Sequence, residues 1–153
     1  MIVTINTDAS FSHNHKRGSF AFWIVSNRFK ILKAGIIRKT VLRPEMAEAM
    51  CIINALHILC NENLDDVTRI IINTDCLNAV YILRNDKEQI RKYRLKWGLE
   101  LRDTFNKRYK HIKSKIEFRH VKAHSGVQDA RSYVNEWCDR NAKLQLKQHL
   151  NLN

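Results

Sequence analysis

Four carboxylates and one histidine carry the chemistry this sequence offers. Residues 5–8 and 72–75 both read INTD, and each copy ends an apolar, β-branched run, within VTINTDASF and IIINTDCLN. If these strands pair in parallel with matched ends, Asp8 and Asp75 stand about 5 Å apart. Two anions that close require a shared proton or a cation between them. Hard oxygen ligands on a rigid sheet end suit Mg²⁺ or Mn²⁺ rather than zinc. Glu48 is a lone charge inside the apolar stretch AEAMCIINAL. Burying it unpaired costs several kcal/mol, so it requires a partner: a base in a salt bridge, or a metal shared with the two aspartates. Asp139 lies in NEWCDRNAK and His124 in VKAHSG, within a loop marked by Ser125 and Gly126. Taken singly, each has a plainer reading. Strand-end aspartates form turns or cap helices, Asp139 suits an exposed helix position, and a lone loop histidine is ordinary surface.

The elements that must bring these residues together follow from periodicity. Strands are expected over 2–8, Phe20–Ser26, Ile31–Arg38, Val67–Thr74 and Lys115–Val121, the second and third forming a hairpin. Pro44 opens a helix over about 45–61 that is apolar on nearly every face, hence buried against a sheet. A short helix covers Cys76–Leu83. Residues 86–109 carry Ile90, Tyr93, Trp97, Leu101 and Phe105 at helical spacing, with a bend expected at Gly98. A last helix spans about 132–147. The order β-β-β-α-β-α-α-β-α predicts one α/β domain, residues 1–150, on a mixed five-stranded sheet flanked by helices.

Composition narrows the partners. The 153 residues carry 27 Lys and Arg against 15 acids, a net charge of +12, and residues 84–122 alone hold 14 bases and 5 acids. A cluster that dense favours phosphate partners over a membrane, since no lipid-anchoring helix accompanies it. No run approaches the ~20 apolar residues of a bilayer span. Met1 leads directly into a strand without a signal peptide, and Cys51, Cys60, Cys76 and Cys138 lack CxxC spacing. A cytoplasmic protein with reduced thiols is expected. His13 and His15 have no third ligand nearby in sequence for zinc.

TDAS (7–10), AEAMCIINAL (47–56), NTD (73–75), VKAHSG (121–126) and NEWCDRNAK (135–143) resemble, in content and order, the type 1 ribonuclease H family over residues 2–147. The resemblance implies a ribonuclease H-like fold whose first and fourth strands are parallel neighbours, each supplying an aspartate. It implies that Asp8, Glu48, Asp75 and Asp139 ligate two Mg²⁺ ions, Mn²⁺ being a possible substitute, with Asp8 bridging them. His124 matches the family's mobile histidine. The implied activity is endonucleolytic hydrolysis of RNA in RNA–DNA hybrids, leaving 5′-phosphate and 3′-hydroxyl ends. The basic segment 86–110 resembles the family's protruding handle. Arg91, Lys92, Arg94, Lys96 and Trp97 in that segment, together with Asn135, are the expected nucleic-acid contacts. A free-standing, monomeric catalytic domain without an obligate protein partner is expected.

The chain departs from the family pattern around this centre. TDAS replaces TDGS, and FSHNHKRGS replaces the glycine-rich turn. Pro44 and Glu45 stand where relatives often carry two asparagines, Cys76 and Leu77 where serine and glutamine are usual. In relatives these positions contact the hybrid, so the resemblance leaves a superfamily nuclease acting on other duplexes or junctions as the alternative. A non-catalytic binding module is disfavoured, since all four carboxylates are present.

Overall fold

In a computed structural model, residues 1–84, 96–121 and 130–151 are described. The elements are β1 (Ile2–Ser12), β2 (Arg17–Val25), β3 (Lys30–Ile36), α1 (Pro44–Leu59), β4 (Arg69–Thr74), α2 (Leu77–Arg84), α3 (Lys96–Arg108), β5 (Ile116–His120) and α4 (Ala130–His149). The five strands form one mixed sheet in the order β3-β2-β1-β4-β5. β1 runs antiparallel to β2 and parallel to β4, and β5 joins parallel to β4. This is the mixed sheet expected from the alternation of elements.

Alternation along the strands divides two apolar layers. Val3, Ile5, Phe22, Ile24, Ile70 and Ile72 face one way and meet α1 together with Phe105 and Tyr109. Ala21 and Trp23 face the other way, where Cys138 and Ala142 of α4 cover them. α1 is buried along most of its length because it lies under the sheet and also meets α2 and α3. Its lack of a polar face is thereby explained. Among the described residues, no helix is long and apolar enough to cross a membrane.

Two expectations are corrected. The first strand does not stop at Asp8: Ala9–Ser12 pair with Phe20–Arg17 in antiparallel register, so β1 continues to Ser12. The connection to β2 is the turn 13–16, which Lys16 closes at φ 51°, a left-handed conformation that glycine adopts more easily. The bend expected at Gly98 depends on residues 85–95, which lie outside the described residues; α3 includes Gly98. Trp97 was expected to face nucleic acid, yet it is 8% exposed and packs with Ile37, Val41, Met46, Ala47 and Ile82. Met46 and Ala47 of α1 and Ile82 of α2 enclose it, so the indole belongs to the core.

Candidate active site

The repeated INTD is a consequence of strand pairing. β1 and β4 run in register with Ile5 opposite Ile72 and Asn6 opposite Asn73, so the two copies lie side by side in the same phase. Each then delivers an aspartate at the same end of the sheet. Glu48 approaches from α1, and ligand oxygens of Asp8, Glu48 and Asp75 all lie within 4.8 Å of one another. The Ala9 amide donates to Asp8 Oδ1 at 2.9 Å and to Glu48 Oε1 at 3.3 Å, tying two of the carboxylates to one N–H. Among the described residues, Glu48 Oε2 is buried without a hydrogen-bond partner.

These acids have gathered at an electrostatic cost. Burial, followed by the charges of Asp75 and Asp139, pushes the Asp8 carboxyl from its ordinary 3.8 up to about 7. Burial pushes Glu48 well up too, with Asp8 and Asp75 adding to the effect. Among the described residues, no base pairs with Glu48 or with Asp8. Only a bound proton or a cation relieves such a cluster. Three hard oxygen donors, one of them buried and unsatisfied, fit a divalent ion of the Mg²⁺ class.

Asp139 stands apart from that trio. α4 carries it against the sheet, anchored by Cys138 Sγ at 3.6 Å from the Asn6 carbonyl and by Ser19 Oγ donating to the Ala142 carbonyl. Its charge reaches Asp8, but its own Oδ2 lies 3.1 Å from Lys143 Nζ, one helical turn on. Asn135 is half-buried in the same helix, one turn before Asp139. Lys96 is exposed at the start of α3. His124, Arg91, Lys92 and Arg94 lie outside the described residues.

Two contacts went unread in the sequence. His120, at the end of β5, places Nε2 3.0 Å from the Asp75 carbonyl and so donates there, fixing the chain beside a ligand. The VKAHSG motif directed attention to His124, four residues on. Lys143 was detectable as the i+4 cation to Asp139. The thiols beside the site are quiet: burial pushes both Cys76 and Cys138 up to about 12, which leaves them protonated and unreactive. The altered recognition positions are built into the fold. Pro44 occupies the first turn of α1, Glu45 pairs with Arg43 at 2.9 Å, and Leu77 is exposed.

Comparison with known proteins agrees with this geometry. The family model for RNase H matches residues 1–147. Among solved structures, LC11-RNase H1, isolated from compost by a metagenomic approach, is similar at a TM-score of 0.63 with 17% identity, over 94% of this chain and 97% of that one. RNase H1 from the halophilic archaeon Halobacterium salinarum NRC-1 is similar at 0.58 with 18% identity, over 97% and 99%. At such identities the likeness shows the fold. No curated protein gives a significant match. With the family model spanning nearly the whole sequence and the fold shared, the chain belongs to the RNase H family.

Proposed function

We propose that this protein is a metal-dependent endoribonuclease that hydrolyses the RNA strand of RNA–DNA hybrids. The observation that carries the proposal is the trio Asp8, Glu48 and Asp75, within 4.8 Å of one another, with a buried Glu48 oxygen left unsatisfied. Asp8, Glu48, Asp75 and Asp139 would hold two Mg²⁺ ions, or Mn²⁺ in their place. These ions supply activation of water, charge neutralisation at the scissile phosphate and stabilisation of the leaving oxygen. Water adds to phosphorus, the bond from phosphorus to the 3′ oxygen breaks, and that oxygen takes a proton, leaving 5′-phosphate and 3′-hydroxyl ends.

The chain's own groups set the stage for that reaction. The Ala9 amide orients Asp8 and Glu48 together, and His120 steadies the backbone at Asp75. Lys143 pairs with one Asp139 oxygen and leaves the other to face a cation. His124 serves proton transfer or product release, and Arg91, Lys92, Arg94 and Lys96 hold phosphates, with Asn135 near the RNA. The enzyme acts in the cytoplasm as a monomer.

A second reading rests on a specific observation: the positions that would recognise a hybrid hold Pro44, a Glu45 engaged with Arg43, Cys76 and an exposed Leu77. That favours a looser choice of duplex. Labelled RNA–DNA hybrid, duplex RNA, duplex DNA and single strands, each with Mg²⁺ or Mn²⁺, separate the two. Scission of the hybrid alone is expected; equal cleavage of duplex RNA or DNA overturns the substrate assignment.

A further inference from the structure

From Ala9 to Pro44 the chain holds eight Lys and Arg and no Asp or Glu, a second one-sided stretch beside residues 84–122. β3 carries part of it to the outer edge of the sheet. There the sheet and α1 leave a groove of about 650 Å³. Its floor is apolar: the Phe20 and Phe22 rings stack 5.8 Å apart at 13°, with Ile37 and Met50 beside them. Gly35 keeps the floor low, since a Cβ at that position would stand 3.1 Å from the Phe20 ring. Met50, Asn54, His57 and Ile58 line the opposite wall at the spacing of one helix face. Lys33, Arg38 and Lys39 form an exposed rim. Among the described residues none of the three has a carboxylate partner, whereas Arg28 and Arg43 are paired with Asp66 and Glu45.

These features define a complement. An apolar floor accepts an apolar side chain. Unpaired rim cations select carboxylates. An edge strand offers backbone groups to an extended chain. A nucleic-acid strand meets the charge condition and its bases can stack on an aromatic floor, but it cannot pair with the backbone of the edge strand. We propose that the groove is a docking site for an extended acidic peptide segment of a partner protein, with one large apolar side chain seated over Phe20. The proposal is independent of the ribonuclease reading. Lysines on an edge strand also discourage strand-to-strand aggregation, and the test separates that role from docking.

The probe is a fluorescein-labelled decapeptide of alternating glutamate and aspartate with one central leucine, measured by anisotropy against the full chain. Its companions are an analogue with serine for leucine and a single-stranded oligothymidylate. Saturable binding is expected. The double variant Lys33→Glu/Lys39→Glu, the groove-filling Asn54→Trp and the serine analogue should each weaken it by about tenfold or more, about 1.4 kcal/mol. Melting curves of both variants verify folding. Absence of saturation overturns the proposal, as does equal binding of the leucine and serine peptides or indifference to Asn54→Trp. Oligothymidylate binding that the double reversal removes while peptide binding survives assigns the rim to nucleic acid, and overturns it as well.

Discussion

Charges of the two signs are held in opposite ways in this molecule. Asp8 lies within β1 and Asp75 directly follows β4, two hydrogen-bonded neighbours inside the sheet, and Glu48 rises from a helix buried against the same sheet. Backbone pairing fixes where these acids stand, so they cannot relax apart, and their mutual repulsion is part of the folded state. Lys33, Arg38, Lys39 and Lys96 instead end in water on long stems. They keep their hydration and lose little by lying near one another. Like charges forced together by a rigid scaffold demand a ligand, and that demand is where chemistry starts. Like charges spread over a solvated surface only bias which partners arrive.

The largest effect expected from that difference is at Asp8. Asp8→Asn removes a ligand that contacts both Glu48 and the Ala9 amide region, and hybrid cleavage in Mg²⁺ should fall by about a thousandfold or more, several kcal/mol of transition-state stabilisation. Metal-free melting should stay level or rise, because a repelling charge has gone. Undiminished turnover in purified Asp8→Asn would break the comparison at its root. Trp97 comes next, as the residue that crossed from one side of the comparison to the other. Its burial predicts that Trp97→Ala costs about 3–5 kcal/mol in urea unfolding, with substrate affinity unchanged where the variant is still folded. A loss of affinity without loss of stability would return the indole to the binding surface.

The same physics explains how much of the site was legible in the sequence. The two INTD copies could be matched because a parallel pair repeats its phase along both strands, so identical segments with equal roles look identical. Glu48 could be flagged because an acid in an apolar helix has few acceptable environments. The extension of β1 to Ser12 was hidden because Ala9–Ser12 gain their partners only from β2, a pairing local composition does not reveal. Trp97 was misplaced because bases interleave with apolar residues along 86–109, and spacing alone does not say which side meets the core. The acid-free stretch from Ala9 to Pro44 was equally visible, but its meaning depends on β3 lying at an edge with a groove behind it.

A smaller effect should appear in the pH dependence of stability without metal. The Asp8 carboxyl titrates near 7 in the folded protein against an ordinary 3.8, so the native state keeps a proton that the unfolded chain releases. Its contribution is whole below about pH 4 and lost as pH rises to about 7; Glu48, also raised, acts in the same direction. In EDTA, wild-type melting temperature should therefore fall relative to Asp8→Asn across that window. Mg²⁺ should raise it more at pH 8 than at pH 5, because the ion meets deprotonated ligands only at the higher value. Parallel melting profiles for the two proteins would mean that the acids are not under electrostatic strain.

The smallest effect belongs to the bases of residues 91–96. Replacing Arg91, Lys92, Arg94 and Lys96 by alanine together should leave turnover of bound hybrid and the melting temperature close to wild type, since Lys96 is exposed and takes no part in the carboxylate cluster. What should change is how affinity depends on salt. Every phosphate that is no longer neutralised lowers the slope of log K against log salt by about 0.9, so four such bases predict a drop of about 3 to 4. The variant should bind clearly more weakly at low salt and converge with wild type as salt screens both. A slope that stays the same removes these four from the interface. A fall in turnover at saturating hybrid would instead show that they help place the scissile phosphate, and the division between acids for chemistry and bases for capture would then have to be redrawn.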